Sequence, residues 1–152
     1  MRRYTLVVSE LSDTQVIFNN GTFITDLIGN PVQLADGTRY TDAQHQIADY
    51  SLGKRWTARH RLTRPSGATF DSQIDYRVVG KENVTLPAGT FEAFRIEGIG
   101  WSQGEKYGVN VYNLFWISPE VRRIVAHETK QRFANGKIVK HERYELTGYV
   151  QR

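Results

Sequence analysis

The sequence predicts an all-β fold: a single curved antiparallel sheet, or an open half-barrel, of about nine strands with at most one short helix. Three observations predict it. The longest patterned stretches alternate apolar and polar residues with a period of two. They are rich in Val, Ile, Thr, Tyr and Trp, and aromatics make up 12% of the chain. Short turn signals, among them Asn19-Asn20-Gly21, Pro65-Ser66-Gly67 and Asn135-Gly136, separate them.

Tyr4 to Ser9 reads as a first short strand. Thr14 to Phe18 and Thr22 to Ile28 flank Asn19-Asn20-Gly21 as a hairpin, which Gly29-Asn30-Pro31 ends. From Val32 to Leu52 the pattern is poor. Asp42 to Tyr50 there suits one or two helical turns capped by Thr41 or Asp42, without an apolar stripe.

Lys54 to Arg64 sets Trp56, Ala58, His60 and Leu62 on one face, with Arg55, Arg59 and Arg61 on the other. Thr69 to Val79 sets Phe70, Ser72, Ile74, Tyr76 and Val78 against Asp71, Gln73, Asp75 and Arg77. A three-residue loop ending in left-handed Gly67 pairs Leu62 with Phe70, Ala58 with Ile74 and Trp56 with Tyr76. A slip by one residue would oppose Leu62 to Asp71, so the register is strongly specified.

Gly80 marks a bulge or kink. Glu82 to Leu86 and Phe91 to Trp101 are strands around the Pro87-Ala88-Gly89 turn. Tyr107 to Ile117 is the next, broken at Ser118-Pro119-Glu120 because proline cannot donate to a ladder. Val121 to Phe133 and Lys137 to Val150 form the last hairpin. A two-residue Asn135-Gly136 turn pairs Glu128 with Arg143, Thr129 with Glu142 and Gln131 with Lys140. The neighbouring register would place like charges opposite each other. The whole chain, residues 1–152, is expected to form one β domain without linker or repeat.

Composition excludes several functions. There is no cysteine, hence no disulfide, thiolate catalysis or Cys-ligated zinc. No stretch reaches the roughly 20 apolar residues of a spanning helix, and no transmembrane span is expected. The basic start, Met1-Arg2-Arg3, is followed by too short an apolar run for a leader peptide, so any leader is absent from this chain. The net charge of +4 invites a nucleic-acid reading. Arg61 faces Asp71, however, and Arg59 lies diagonally between Asp71 and Asp75. That stripe is largely neutralised within its own sheet face, and no nucleic-acid partner is expected.

Gly100-Trp101-Ser102-Gln103-Gly104 matches the nucleophile elbow G-x-S-x-G, which acts only on a strand-turn-helix. A turn and a strand follow here, so the glycines are read as turn residues. His127-Glu128 and His141-Glu142 each lack the second histidine of a zinc motif. The register sets His127 opposite Tyr144 and His141 opposite Lys130. His60 is read as a buried imidazole bonded to Ser72. No catalytic residue, metal or cofactor is expected, and the chain is read as non-enzymatic. The aromatics have two readings: a packed concave face, or an apolar cavity for a lipid or similar ligand. Trp56, His60, Trp101, Phe115 and Trp116 are the residues expected to line such a cavity. A packed concave face would instead suit a structural or interaction module that recruits a protein partner through an edge strand.

The run Tyr76-Arg77-Val78-Val79-Gly80-Lys81-Glu82-Asn83-Val84-Thr85-Leu86-Pro87-Ala88-Gly89-Thr90-Phe91-Glu92-Ala93 resembles the G-x-E-x-V-x-V-P-A-G-T-F-x-A core of exported bacterial domains of unknown function, the TapB-like families. Leu52-Gly53-Lys54-Arg55-Trp56 is similar to their approach to the first long strand, with Ser51 where proline is common. Trp116-Ile117-Ser118-Pro119-Glu120-Val121 looks like their W-x-x-P-x-V. The resemblance spans roughly Tyr50 to Val150. It implies a periplasmic or envelope location and a fold similar to lipoprotein-carrier half-barrels, and it carries no catalytic residue.

Overall fold

The computed structural model describes residues 3–151. They form one eleven-stranded antiparallel sheet in which every strand pairs with its neighbours in sequence, and the sheet is not closed into a barrel. The strands are β1 (Val8–Leu11), β2 (Gln15–Phe18), β3 (Phe23–Asp26), β4 (Pro31–Gln33), β5 (Arg39–Thr41), β6 (Arg55–Thr63), β7 (Thr69–Leu86), β8 (Gly89–Gly104), β9 (Gly108–Ser118), β10 (Arg123–Arg132) and β11 (Ile138–Glu145). The only helical element among the described residues is a 3-10 turn, Asn19–Gly21, in the first hairpin. The all-β antiparallel expectation therefore holds, with eleven strands rather than about nine.

The count differs for local reasons. The bulge expected at Gly80 forms, with Val79 as the extra residue, but β7 runs through it instead of splitting in two. The poorly patterned stretch after Gly29 contributes β4 and β5, each three residues long, too short to show a period. The first strand lies later than Tyr4 to Ser9. No helix forms from Asp42 to Tyr50: Asp42 takes φ 57, which no N-cap adopts, and the segment runs as an irregular loop.

Both hairpin registers hold. Trp56 pairs with Tyr76, Ala58 with Ile74 and Leu62 with Phe70 around Gly67 at φ 86. Glu128 pairs with Arg143, Thr129 with Glu142 and Gln131 with Lys140. The second turn is longer than expected. Phe133 donates to and accepts from the turn around Ala134-Asn135-Gly136, and Val139 then bulges, which restores the register.

Two cores lie on opposite faces. The inner face carries Ala58, Ile74, Tyr76, Val78, Ile96, Val109, Val111, Phe115 and Ile117. The outer face, at the far end of β7 to β10, carries Leu86, Phe91, Ala93, Trp116, Val121, Val125 and Ala126. The bulge at Val79 makes this possible. Before it, the even residues of β7 face inward with Val78 opposite Ile96; after it, Gly80, Glu82, Val84 and Leu86 share the face of Arg95, Ala93 and Phe91. The chain after β11 covers this second core, with Leu146 donating to Val125 and Tyr149 against Phe91.

The G-x-S-x-G glycines do not form a turn. β8 continues to Gly104, and Gly98, Gly100, Ser102 and Gly104 alternate along its inner face. A Cβ on Gly98 would collide with the Tyr76 ring, and one on Gly104 with the Phe70 ring. Gly98→Ala should therefore destabilise the fold by about 2 kcal/mol or more, as overpacking does. Gly148→Ala, where a Cβ meets nothing within 4 Å, should be close to neutral. Paired urea titrations of the two variants check both statements.

Candidate functional site

The inner face centres on Tyr76, which is 1% exposed. Its ring stacks on Trp56 at 5.3 Å and Phe115 at 5.7 Å, and meets His45 edge-on. Its hydroxyl joins a buried polar chain. Thr129 Oγ1 donates to Asn113 Oδ1 at 2.7 Å, and Asn113 Nδ2 donates to Tyr76 Oη at 3.1 Å. Tyr76 Oη lies 2.6 Å from His45 Nδ1. The amide nitrogen can only donate, so Tyr76 Oη accepts from it and still meets His45 Nδ1.

His45 belongs to the loop between β5 and β6, and this loop fills the inner face. Gln44 O accepts from Trp56 Nε1 at 3.1 Å, and Tyr50 packs on both Trp56 and Phe94. Asn30 holds the loop at its other side, accepting from Gln46 N and donating to Gln46 O. This role was not legible in the sequence, because the loop has no period.

Three histidines share this interior. Burial, then repulsion from His60 and His127, pushes His45 down to about 3. Burial pushes His127 down to about 4 and lowers His60 as well. His60 does pair with Ser72 across the strands, but the expected bond between them is absent: Ser72 Oγ donates to Ser102 Oγ at 2.9 Å, and His60 Nδ1 has no partner. His127 Nε2 is likewise buried and unpaired, with the ring between Phe115 and Tyr144. Among the described residues no three His, Asp or Glu side chains gather as metal ligands. Ser102 lies mid-strand, not on an elbow before a helix.

The outer face is different. Arg59 pairs with Gln73, Gln73 with Trp101, Trp101 with Asn110 and Asn110 with Arg132, so these five form one row across β6 to β10. Trp101 is 44% exposed and its strand neighbour Ile99 57%. Two shallow, open clefts of about 500 Å³ each flank this pair. One is lined by Asp42, Arg59, Asp71, Gln73 and Trp101, the other by Ile99, Asn110, Tyr112, Lys130 and Arg132. Arg61 holds Asp71 through two bonds of 2.7 and 3.1 Å, as its register implied. Arg59 Nε donates to Gln73 Oε1 at 3.0 Å, so it is Gln73 that engages it and neither Asp71 nor Asp75.

The five residues expected to line one cavity therefore divide. Trp56, His60 and Phe115 face inward. Trp101 and Trp116 face outward with their partners Gln73 and Arg95. Trp116 belongs to the second core, its Nε1 donating to Glu82 at 2.8 Å with Arg143 over its ring. Trp101 lies outward because the inner positions of this half of β8 are taken by Gly98, Gly100, Ser102 and Gly104. His127 pairs with Tyr144 and His141 with Lys130, as expected.

Both free edges oppose strand addition. β1 is four residues long and bulged at Ser9, whose hydroxyl is tied to Ile17 and Asn20. β11 is lined with Lys140, His141, Glu142, Arg143 and Glu145. Among the described residues no helix is long and apolar enough to cross a membrane. No family model, curated protein or solved structure matches the chain.

The histidines yield a pH prediction. An unfolded histidine titrates near 6.5, whereas His45 and His127 stay neutral in the fold to about 3 and about 4. The unfolded chain therefore binds more protons below pH 6.5, and stability is full above that value and falls as pH drops. Each such histidine costs up to about 1.4 kcal/mol per pH unit. Denaturant midpoints should thus fall from pH 7.5 to pH 5. His127→Phe removes one buried unpaired nitrogen and should flatten that slope by about one histidine's share. An unchanged slope in the variant would remove His127 from the account.

Proposed function

We propose that the chain is a non-enzymatic binding module of the bacterial envelope that recognises its ligand or partner with the outer face of the sheet. The observation that carries this reading is the contrast between the faces. The inner face is occupied by the chain's own loop, with Tyr50, His45 and the Tyr76 hydrogen-bond chain in the space an apolar ligand would need. The outer face instead presents Ile99 and Trp101 to solvent between two clefts. A large aromatic left uncovered at the centre of a sheet, with polar residues around it, has the composition of a recognition surface. The envelope assignment rests on the P-A-G-T-F resemblance.

A lipid-carrier role would require the loop from Asp42 to Lys54 to leave the inner face, breaking the bonds to Tyr76 and Trp56. Native mass spectrometry of protein purified gently from its own host separates the two. The outer-face reading expects a bare polypeptide mass and little uptake of an apolar fluorescent dye. A lipid adduct lost on organic extraction would overturn it in favour of the carrier. The tryptophans supply a second check. Acrylamide should quench chiefly Trp101, since Trp116 is buried and Trp56 packs between Tyr50 and Tyr76. Trp101→Phe should remove most of the quenchable emission.

A further inference from the structure

The geometry points to an acidic oligosaccharide, one whose charged sugars are separated by neutral ones, as the ligand of the row Arg59–Gln73–Trp101–Asn110–Arg132. This rests on the outer-face reading above and names its ligand class.

The row is continuous because its members are direct cross-strand partners. Four inter-strand steps of about 4.8 Å make it about 19 Å long between the end Cα atoms. Its order is symmetric in chemistry: cation, amide, indole, amide, cation. Each part suits a different piece of a sugar chain. A solvent-facing indole offers a flat apolar surface to the C–H face of a pyranose ring. The carboxamides on either side each carry donors and an acceptor, which suits neighbouring hydroxyls. The guanidiniums at the ends match carboxylates in a two-point geometry.

The partners of these groups leave them available. Arg59 uses only Nε on Gln73, and Arg132 uses one terminal nitrogen on Gly136 O. Gln73 accepts from Arg59 and keeps its amide hydrogens. Neighbouring carboxylates are largely committed elsewhere. Asp71 is paired with Arg61, Asp75 accepts from Thr57 at 2.6 Å, and Glu128 is held by Lys130, His141 and Arg143. Asp42, at the margin of the first cleft, limits how many acidic groups a ligand can bring to that end.

The same features argue against a single-stranded nucleic acid. Such a ligand carries a phosphate at every nucleotide and is held by a continuous basic track with several stacking platforms. Here two uncharged amides separate the cations, and the row has one aromatic. A polysaccharide with a charge on every sugar fits the uncharged centre poorly for the same reason.

The test uses the full chain and a hyaluronan hexasaccharide, in which uronate and N-acetylhexosamine alternate, followed by Trp fluorescence and calorimetry. The expected result is saturable binding. It should weaken at least tenfold in Trp101→Ala and severalfold in Asn110→Ala and Arg132→Ala, with unchanged melting curves. Raising the salt should weaken binding less in Arg132→Ala than in the parent protein. Failure of the hexasaccharide to bind, or binding unaffected by Trp101→Ala, overturns the proposal. Equal affinity for maltohexaose overturns the acidic specificity while the outer-face reading stands. Tighter binding of an oligothymidylate than of the hexasaccharide overturns the proposal in favour of nucleic acid. Displacement of an inner-face dye by an apolar ligand would instead sink the outer-face reading itself.

Discussion

The close approach of Tyr76 to the bare backbone of β8 is the constraint on which the remaining structure depends. Gly98 and Gly100 leave no Cβ between the strands' inner faces, so the Tyr76 ring and Ile74 lie against the main chain. Only in that position does the phenol reach both Asn113 on β9 and His45 in the loop. The ring also presents one face to Trp56 and another to Phe115. A single side chain thus joins β6, β7, β9 and the loop, and its hydroxyl is satisfied although it is buried. The glycines weaken the strand in isolation; the aromatic packing they admit offsets that weakness.

The bulge at Val79 determines what the sheet can bury. A regular strand of eighteen residues would keep one face apolar throughout and leave the other to solvent. By exchanging faces midway, β7 supplies Tyr76 and Val78 to one core and Val84 and Leu86 to the other. The second bulge, at Val125, does the same for β10, placing Ile124 toward the first core and Ala126 toward the second. Two small cores on opposite sides of one sheet substitute for the helical layer that usually covers a sheet face. Outside the cores, Tyr4 meets Tyr144 and Arg123 lies over Phe18, so the two ends of the sheet approach without pairing.

The legible parts of the sequence were those in which side-chain pattern specified the cross-strand pairing. The β6–β7 register followed from apolar alternation and from Gly67 together, and the β10–β11 register from charge opposition even though its turn was longer than expected. Elsewhere the reading failed in identifiable ways. Trp101 was expected among the cavity residues, but Gly98, Gly100 and Gly104 take the inner positions of that half of β8 and leave the indole outside. The G-x-S-x-G run was legible as a motif, but Gly100 answers to the backbone of Gln73 and Ile74 and Gly104 to the Phe70 ring, all some thirty residues away in the chain. His45 could not be found, since its partner is set by tertiary placement of an aperiodic loop. The Arg59–Gln73 half of the outer row was legible once the hairpin register was known; Trp101 joins it only through the pairing of β7 with β8.

A filled interior also bears on how such a chain recognises anything. Side chains rooted on adjacent strands are held at fixed spacing, and here the strands are braced from beneath by stacked aromatics and the Tyr76 polar chain. On the proposed outer-face reading the row would give up little conformational freedom, and a modest set of contacts goes further on a preorganised surface than on a loop. The same bracing makes the inner face a poor receptor. Any guest would have to displace a loop tied by His45, Gln44 and Tyr50 and leave Tyr76 Oη and Trp56 Nε1 seeking new partners. Unmet buried donors of this kind cost about 1–3 kcal/mol each. That penalty, together with the lost packing of Tyr50, is what any guest entering beneath the loop would have to offset.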